Sequence, residues 1–306
     1  MRSSCHTGVP ERDADRSQKE NPKRDHRPGP GARILSIAGL GPGSPDHMSP
    51  RALEVIRQAD VIAGYTTYID LIRDLVGGKR IISTAMKKEV DRVQAAIDEA
   101  MSGSACVVVS SGDPGIYAMA GLVFEICRRQ QIPVCRPGQA GRDNPAQENA
   151  PDALQIEVVP GIPALASGAA LIGAPLTHDF ACVSLSDLLT PWDLIEQRIE
   201  AAARADFVIV IFNPKSKKRD WQLNKAREII LKYRGGGTPV GIVKNAMRTG
   251  QNITIVSLED LHAAEVDMLC TVFIGSSASE RYRDFMYTPR GYARKYDIAE
   301  KQGEGA

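Results

Sequence analysis

The sequence predicts an α/β protein organised as two successive α/β units, and three observations predict it. From Arg33 onward, short β-branched runs alternate with stretches of helical spacing, the signature of βα units and a largely parallel sheet. Several of those runs end in Gly/Pro-rich turns, the place where open α/β sheets put their ligand crevice. The 306 residues, 43% hydrophobic and 25% charged, are also enough for two cores of roughly 100–150 residues each.

In chain order, residues 1–32 contain no aromatic residue and few apolar ones, and read as a disordered leader. They lack the apolar core of a secretory signal, and their interspersed acids argue against a transit peptide. Ile34–Ala38, Val61–Ala63, Cys106–Ser110 and Ile156–Val159 are predicted strands of an N-terminal domain over 33–161. Between them Ser49 is placed to cap a helix with Pro50 at its first position, and Val90, Val93, Ile97 and Met101 follow helical spacing on another. Residues 136–154 are polar and rich in Pro and Gly, and read as a surface insertion. A C-terminal domain over 162–306 carries predicted strands Cys182–Leu185, Phe207–Phe212, Val240–Val243, Ile253–Val256 and Thr271–Ile274, with helices around Trp192–Ala203 and Leu223–Tyr233.

Charge and cysteines exclude several classes. Lys+Arg 38 against Asp+Glu 37 leaves a formal +1, which disfavours nucleic-acid binding. Six cysteines without a CxxC pair or metal-ligand spacing read as reduced thiols of a cytoplasmic protein, with no metal site. The longest uncharged stretch, Val158 to Thr177, is interrupted by Pro160, Pro163 and Pro175, so no membrane span is expected.

Four segments stand out as carriers of chemistry. Gly39-Leu40-Gly41-Pro42-Gly43-Ser44-Pro45-Asp46 follows a strand, as a dinucleotide fingerprint does, but Ser44 stands in place of the third glycine. Pro42 and Pro45 delete amide donors, and the next strand ends in Ala63-Gly64 with no acid for a ribose. Ser110-Ser111-Gly112-Asp113-Pro114-Gly115-Ile116-Tyr117 brings an acid and exposed backbone to a strand end; Asp113 reads as a ligand-site residue or as the cap of a helix beginning near Tyr117. Val159-Pro160-Gly161-Ile162-Pro163-Ala164 runs from a strand into a helix of small residues, which suits a flat ligand or close helix packing equally. Ser184–Asp187, Phe212–Arg219, Lys244–Arg248 and Tyr287–Tyr292 mix hydrogen-bond donors with basic groups, as a pocket for a polyanion would. No nucleophile elbow, P-loop or metal cluster is present, so hydrolysis and phosphoryl transfer lack their parts.

The motifs GLGPGSPDHMS, SSGDPGIYAMAG, EVVPGIPALASGAALIGAPLTHDF, VSLSDLLTPW, TPVGIVKNAMR and TPRGY, in this order over about residues 33–292, resemble those of the tetrapyrrole (precorrin) methylase family. SLSDLLTPW and TPRGY resemble the branch that methylates precorrin-3B at C-17 with ring contraction to precorrin-4; a cobalt-containing precursor is the alternative acceptor. The resemblance implies a homodimer of two-domain subunits, with S-adenosylmethionine in the cleft between two α/β domains, unlike the common Rossmann methyltransferases. It implies cofactor contacts at Gly112, Asp113, Ile116, Tyr117, Ala164, Asn213 and Ala246, with S-adenosylhomocysteine as product. Gly41, Pro42 and Gly43 are expected to face the tetrapyrrole, and Lys215, Lys244, Arg248 and Arg290 to meet its carboxylates. Ring contraction releases a hydroxyl proton, for which Asp46, His178 and Asp187 are the candidate bases. Phe212, standing where the family pattern has tyrosine, is a departure, as are the leader and the insertion. Two other classes compete: a nicotinamide-dependent oxidoreductase, which would bind NADH at Gly39–Gly43, and a non-catalytic tetrapyrrole-binding subunit.

Overall fold

A computed structural model describes residues 33–85, 88–139 and 152–298. The leader at 1–32 lies outside the described residues, as does the insertion apart from 136–139 and 152–154. Six strands, β1 (Ile34–Gly39), β2 (Val61–Tyr65), β3 (Arg80–Thr84), β4 (Cys106–Ser110), β5 (Val134–Cys135) and β6 (Leu154–Val159), form one sheet in the order β3-β2-β4-β1-β6-β5. Every pair in it is parallel. One of its two central strands, β4, Cys-Val-Val-Val-Ser, is buried on both faces, so it reads as a continuous apolar run rather than an alternation.

Among the described residues, four α-helices lie along this half: α1 (Pro50–Gln58), α2 (Thr66–Asp70), α3 (Glu89–Met101) and α4 (Ala120–Arg129). The α1 start is as predicted, since the Ser49 hydroxyl accepts from the Ala52 amide at 3.1 Å and Pro50 opens the first turn. α1 packs Ala52, Val55 and Ile56 on one sheet face, and α3 and α4 pack on the other. The α3 stripe differs from expectation. Val93, Ala96, Ile97 and Ala100 are buried, whereas Val90 is 59% exposed and Arg92 takes a buried place at the edge of the stripe.

The chain then enters α5 (Ala164–Ile172), the short strand β7 (Gly173–Ala174), β8 (Phe180–Ser184), α6 (Trp192–Arg204), β9 (Val208–Phe212), α7 (Gln222–Leu231), β10 (Pro239–Lys244), β11 (Asn252–Ser257) and β12 (Cys270–Ile274). The second sheet, in the order β11-β10-β12-β9-β8, is parallel only between β8 and β9. This corrects the largely parallel expectation for the second half. β11 returns from β10 through a short loop, and β12 inserts antiparallel between β9 and β10, connections that need no crossover helix. α6 and α7 cover one face around Ile199, Ile230 and Val272. α5 covers the other, where a Cβ at Gly168 would stand 2.7 Å from the Phe273 ring, so glycine permits the close approach. A small third sheet pairs β13 (Glu280–Tyr282) and β14 (Phe285–Tyr287) with β7.

Candidate active site

Three parallel strand ends of the first sheet converge at their carboxyl side. The Leu40 amide donates to the Ser110 carbonyl at 2.8 Å, and Gly41 and Gly112 exchange both backbone hydrogen bonds at 3.1 and 2.9 Å. Gly41 and Gly112 have φ of +57° and +69°, left-handed values that glycine adopts freely. A Cβ on Gly161 would lie 2.2 Å from the Gly112 carbonyl oxygen, so the β1, β4 and β6 turns touch backbone to backbone. Asp113 fastens them. Its Oδ1 accepts from the Gly115 amide at 2.8 Å and its Oδ2 from the Gly161 amide at 3.1 Å. The carboxylate therefore joins two turns, while α4 begins only at Ala120, so Asp113 does not serve as its cap, the alternative reading.

The facing wall comes from the second sheet. Asn213, after β9, has φ +50°; its amide donates to Ser184 Oγ at 2.9 Å and its carbonyl accepts from Arg219 Nη2 at 2.9 Å. Asn245 and Met247, after β10, also have left-handed φ, +49° and +57°. Two side chains span the gap. The Tyr117 hydroxyl donates to the Cys182 carbonyl at 3.0 Å and its ring centre lies 5.3 Å from that of Phe212. Arg248 donates from Nη2 to Ser111 Oγ at 2.7 Å and from Nε to the Pro42 carbonyl.

Between the walls is a cavity of about 510 Å³, within the range of small-molecule sites. All seven residues expected at a cofactor, Gly112, Asp113, Ile116, Tyr117, Ala164, Asn213 and Ala246, line it. So do Gly41, Pro42 and Arg248 of the expected substrate set. Gly43 does not line it; its amide closes the turn on the Leu40 carbonyl at 3.1 Å.

The remaining candidates lie outside this lining, for visible reasons. Lys244 is held by Asp267 at 2.7 Å, Arg290 donates to the Thr177 carbonyl at 3.1 Å from an exposed position, and Lys215 sits in the β9–α7 connection. Asp46 is exposed in a 3-10 turn, Pro45–His47. His178 is exposed and its Nδ1 takes the Asp179 amide at 2.9 Å, while Asp187 accepts from Gln222 Nε2 at 3.0 Å. None of these three acids and bases reaches the cavity.

Sequence reasoning missed Tyr65, Tyr68 and Arg92, which also line it. The signal for Arg92 was present: a charge beside Val93 in the buried stripe of α3. Burial lowers the proton affinity of the Arg92 and Arg248 guanidinium groups and raises that of the Tyr68 phenol. Among the described residues no group of three or more His, Cys, Asp or Glu is placed to hold a metal, and no helix is long and apolar enough to cross a membrane.

Residues 35–135 and 145–262 match the family of Tetrapyrrole (Corrin/Porphyrin) Methylases. The chain is 46% identical over 264 residues to the cobalt-factor III methyltransferase of Priestia megaterium, covering 86% of this chain but 46% of that one, so it spans about half of that relative's length. It is 40% identical over 259 residues to a probable cobalt-factor III C(17)-methyltransferase of Salmonella typhimurium (strain LT2), covering 85% of this chain and 99% of that one. Identity to the precorrin-3B C(17)-methyltransferase of Sinorhizobium sp is 35% over 264 residues, 85% of this chain and 97% of that one. The crystal structure of the methyltransferase CobJ superposes with a TM-score of 0.72 at 34% identity, over 84% of this chain and 99% of that chain. The α/β fold is thus the one expected from the motifs and not that of the common Rossmann methyltransferases. On the family match and these identities together, the chain belongs to the tetrapyrrole (corrin/porphyrin) methylases.

Proposed function

We propose that the protein methylates C-17 of precorrin-3B, with ring contraction to precorrin-4, in cobalamin biosynthesis, using S-adenosylmethionine. The observation that carries this reading is the single cavity into which the Gly112–Tyr117 turn, Ala164, Asn213 and Ala246 converge from both halves of the chain. The cavity suits that cofactor: Ala164 presents only a methyl group, and a Cβ added at Gly112 would still meet nothing nearer than 3.7 Å. When bound, S-adenosylmethionine supplies a sulfonium methyl that needs no further activation. The chain's own part is then alignment and exclusion of water. Tyr117 and Phe212 close one side with their rings, and Arg248 holds the Pro42 and Ser111 turns.

A second reading has a specific observation behind it. The relatives named for cobalt-factor III are 46% and 40% identical, against 35% for the one named for precorrin-3B, which favours a cobalt-bearing acceptor. We also read the chain as two domains, 33–161 and 162–306, forming a homodimer in the cytoplasm. Leu188 and Leu189, 75% and 98% exposed, suit a subunit contact, and the five described cysteines are all unpaired.

The test is anaerobic incubation with methyl-labelled S-adenosylmethionine and, in parallel, metal-free precorrin-3B and its cobalt counterpart, read by mass spectrometry. One methyl added to the metal-free acceptor supports the first reading, one added only to the cobalt form supports the second, and label on neither overturns both. S-adenosylhomocysteine at a hundredfold excess over its Kd should stabilise the fold by about 2.7 kcal/mol while NADH does nothing.

A further inference from the structure

We propose that Arg92, with the Tyr68 phenol beside it, forms a carboxylate-binding subsite on the α3 side of the cavity and anchors an acidic side chain of the substrate. This rests on the tetrapyrrole reading above for the identity of the ligand. Arg92 is 4% exposed, yet it lines the cavity. Among the described residues its terminal nitrogens donate to two uncharged atoms, Thr84 Oγ1 at 2.6 Å and Met119 Sδ at 3.7 Å, and its Nε has no partner. Burial lowers the proton affinity of this guanidinium, and Glu89, one turn earlier and also in the cavity lining, offsets part of that cost without a direct ion pair to Arg92 among the described residues. An incoming carboxylate supplies the missing countercharge in the fork geometry that a guanidinium matches best.

The other buried arginines also leave Nε without a hydrogen bond, and what sets them apart is position. Arg234 lies 3.5 Å from Asp206 and donates to the Phe207 and Gly275 carbonyls, and Arg219 holds the Asn213 carbonyl. Neither lines the cavity. Tyr68 does, and its ring is fixed edge-on against Tyr65 at 5.3 Å. Burial keeps that phenol protonated, so it stays a donor toward an anion. Arg248 lines the same cavity and interacts electrostatically with Tyr68, so two guanidinium groups face this side, with Glu89, an acid of the same lining, beside them.

The test uses the full chain, with uroporphyrin, a porphyrin octacarboxylate, as the probe in fluorescence quenching and S-adenosylhomocysteine in calorimetry. Arg92→Gln should weaken uroporphyrin binding by about tenfold or more while leaving S-adenosylhomocysteine within about twofold. Arg92→Lys should fall between, because the charge remains and the fork is lost. The octamethyl ester should not distinguish the variants. Uroporphyrin bound equally by wild type and variants, or both ligands weakened together, would overturn the subsite alone. Wild type that binds S-adenosylhomocysteine but no octacarboxylate would overturn the tetrapyrrole reading, and the subsite with it. Should Arg92→Gln fail to fold by circular dichroism, Arg92→Lys decides by the same comparison.

Discussion

The two walls of the cavity are built by opposite means. On the first-sheet side, Gly39 and Gly161 press against each other and against the Gly112 carbonyl, with no room for a Cβ on either of the two. On the second-sheet side, left-handed Asn213 and Asn245 are held by their own amides, which donate to Ser184 Oγ at 2.9 Å and to the Gly250 carbonyl at 3.3 Å. A wall of touching main chain fixes position and leaves nothing to tune. A wall of side-chain hydrogen bonds can be altered one group at a time, and that is where differences in acceptor among relatives have room to arise.

The largest effect should come from intruding on the glycine contact. Gly161→Ala places a methyl 2.2 Å from a carbonyl oxygen and should cost more than about 3 kcal/mol, read as a shift of the urea midpoint. The same substitution at Gly121, in α4 with open space around it, should instead stabilise by about 0.5–1 kcal/mol. Equal effects at the two sites would show that the Gly161 contact yields to a methyl group, and the first wall would lose its rigidity.

On the second wall the penalty should be smaller and divisible. Asn213→Ala loses the Ser184 hydrogen bond and puts alanine at a left-handed φ, for about 2 kcal/mol, whereas Asn213→Gly keeps the backbone at ease and loses about 1 kcal/mol. Chemical denaturation of both variants separates the two contributions. The smallest effect concerns acid. Burial pushes the Asp267 carboxyl up, but the Lys244 ammonium and the Leu269 amide outweigh it and hold it below its ordinary range. Because the folded value is the lower one, this stabilisation is complete above the ordinary carboxylate range and is lost as pH falls through the folded value. Lys244→Met should therefore flatten the acid limb of the stability curve slightly, since both groups are 40% or more exposed.

What the sequence made legible follows burial. Strands with both faces covered, such as Cys106–Ser110 and Val208–Phe212, appear as unbroken apolar runs and were placed to within a residue or two. Edge strand β3 was not anticipated, because Arg80–Thr84 is exposed at three of its five positions and pairs on one side only. The two-residue β7 offers no period to read. The turns that carry the site were visible because glycine and proline mark strand ends. Arg92 carries only the faint mark of a charge beside Val93, easily discounted because a charged residue on a helix is ordinarily solvent-facing, and Tyr68 carries no mark at all. The candidate bases Asp46, His178 and Asp187 lie outside the cavity lining for a shared reason: their side chains bond to neighbouring groups or face water.

Arg248 closes the site with bonds to Pro42 and Ser111, residues 206 and 137 positions earlier in the chain. During synthesis the glycine-lined turns can therefore be complete on the ribosome well before the arginine that ties them to their opposite wall has emerged. A nascent chain stopped short of β10 would carry half a binding site with no clasp, so ligand affinity should arise late and abruptly in translation.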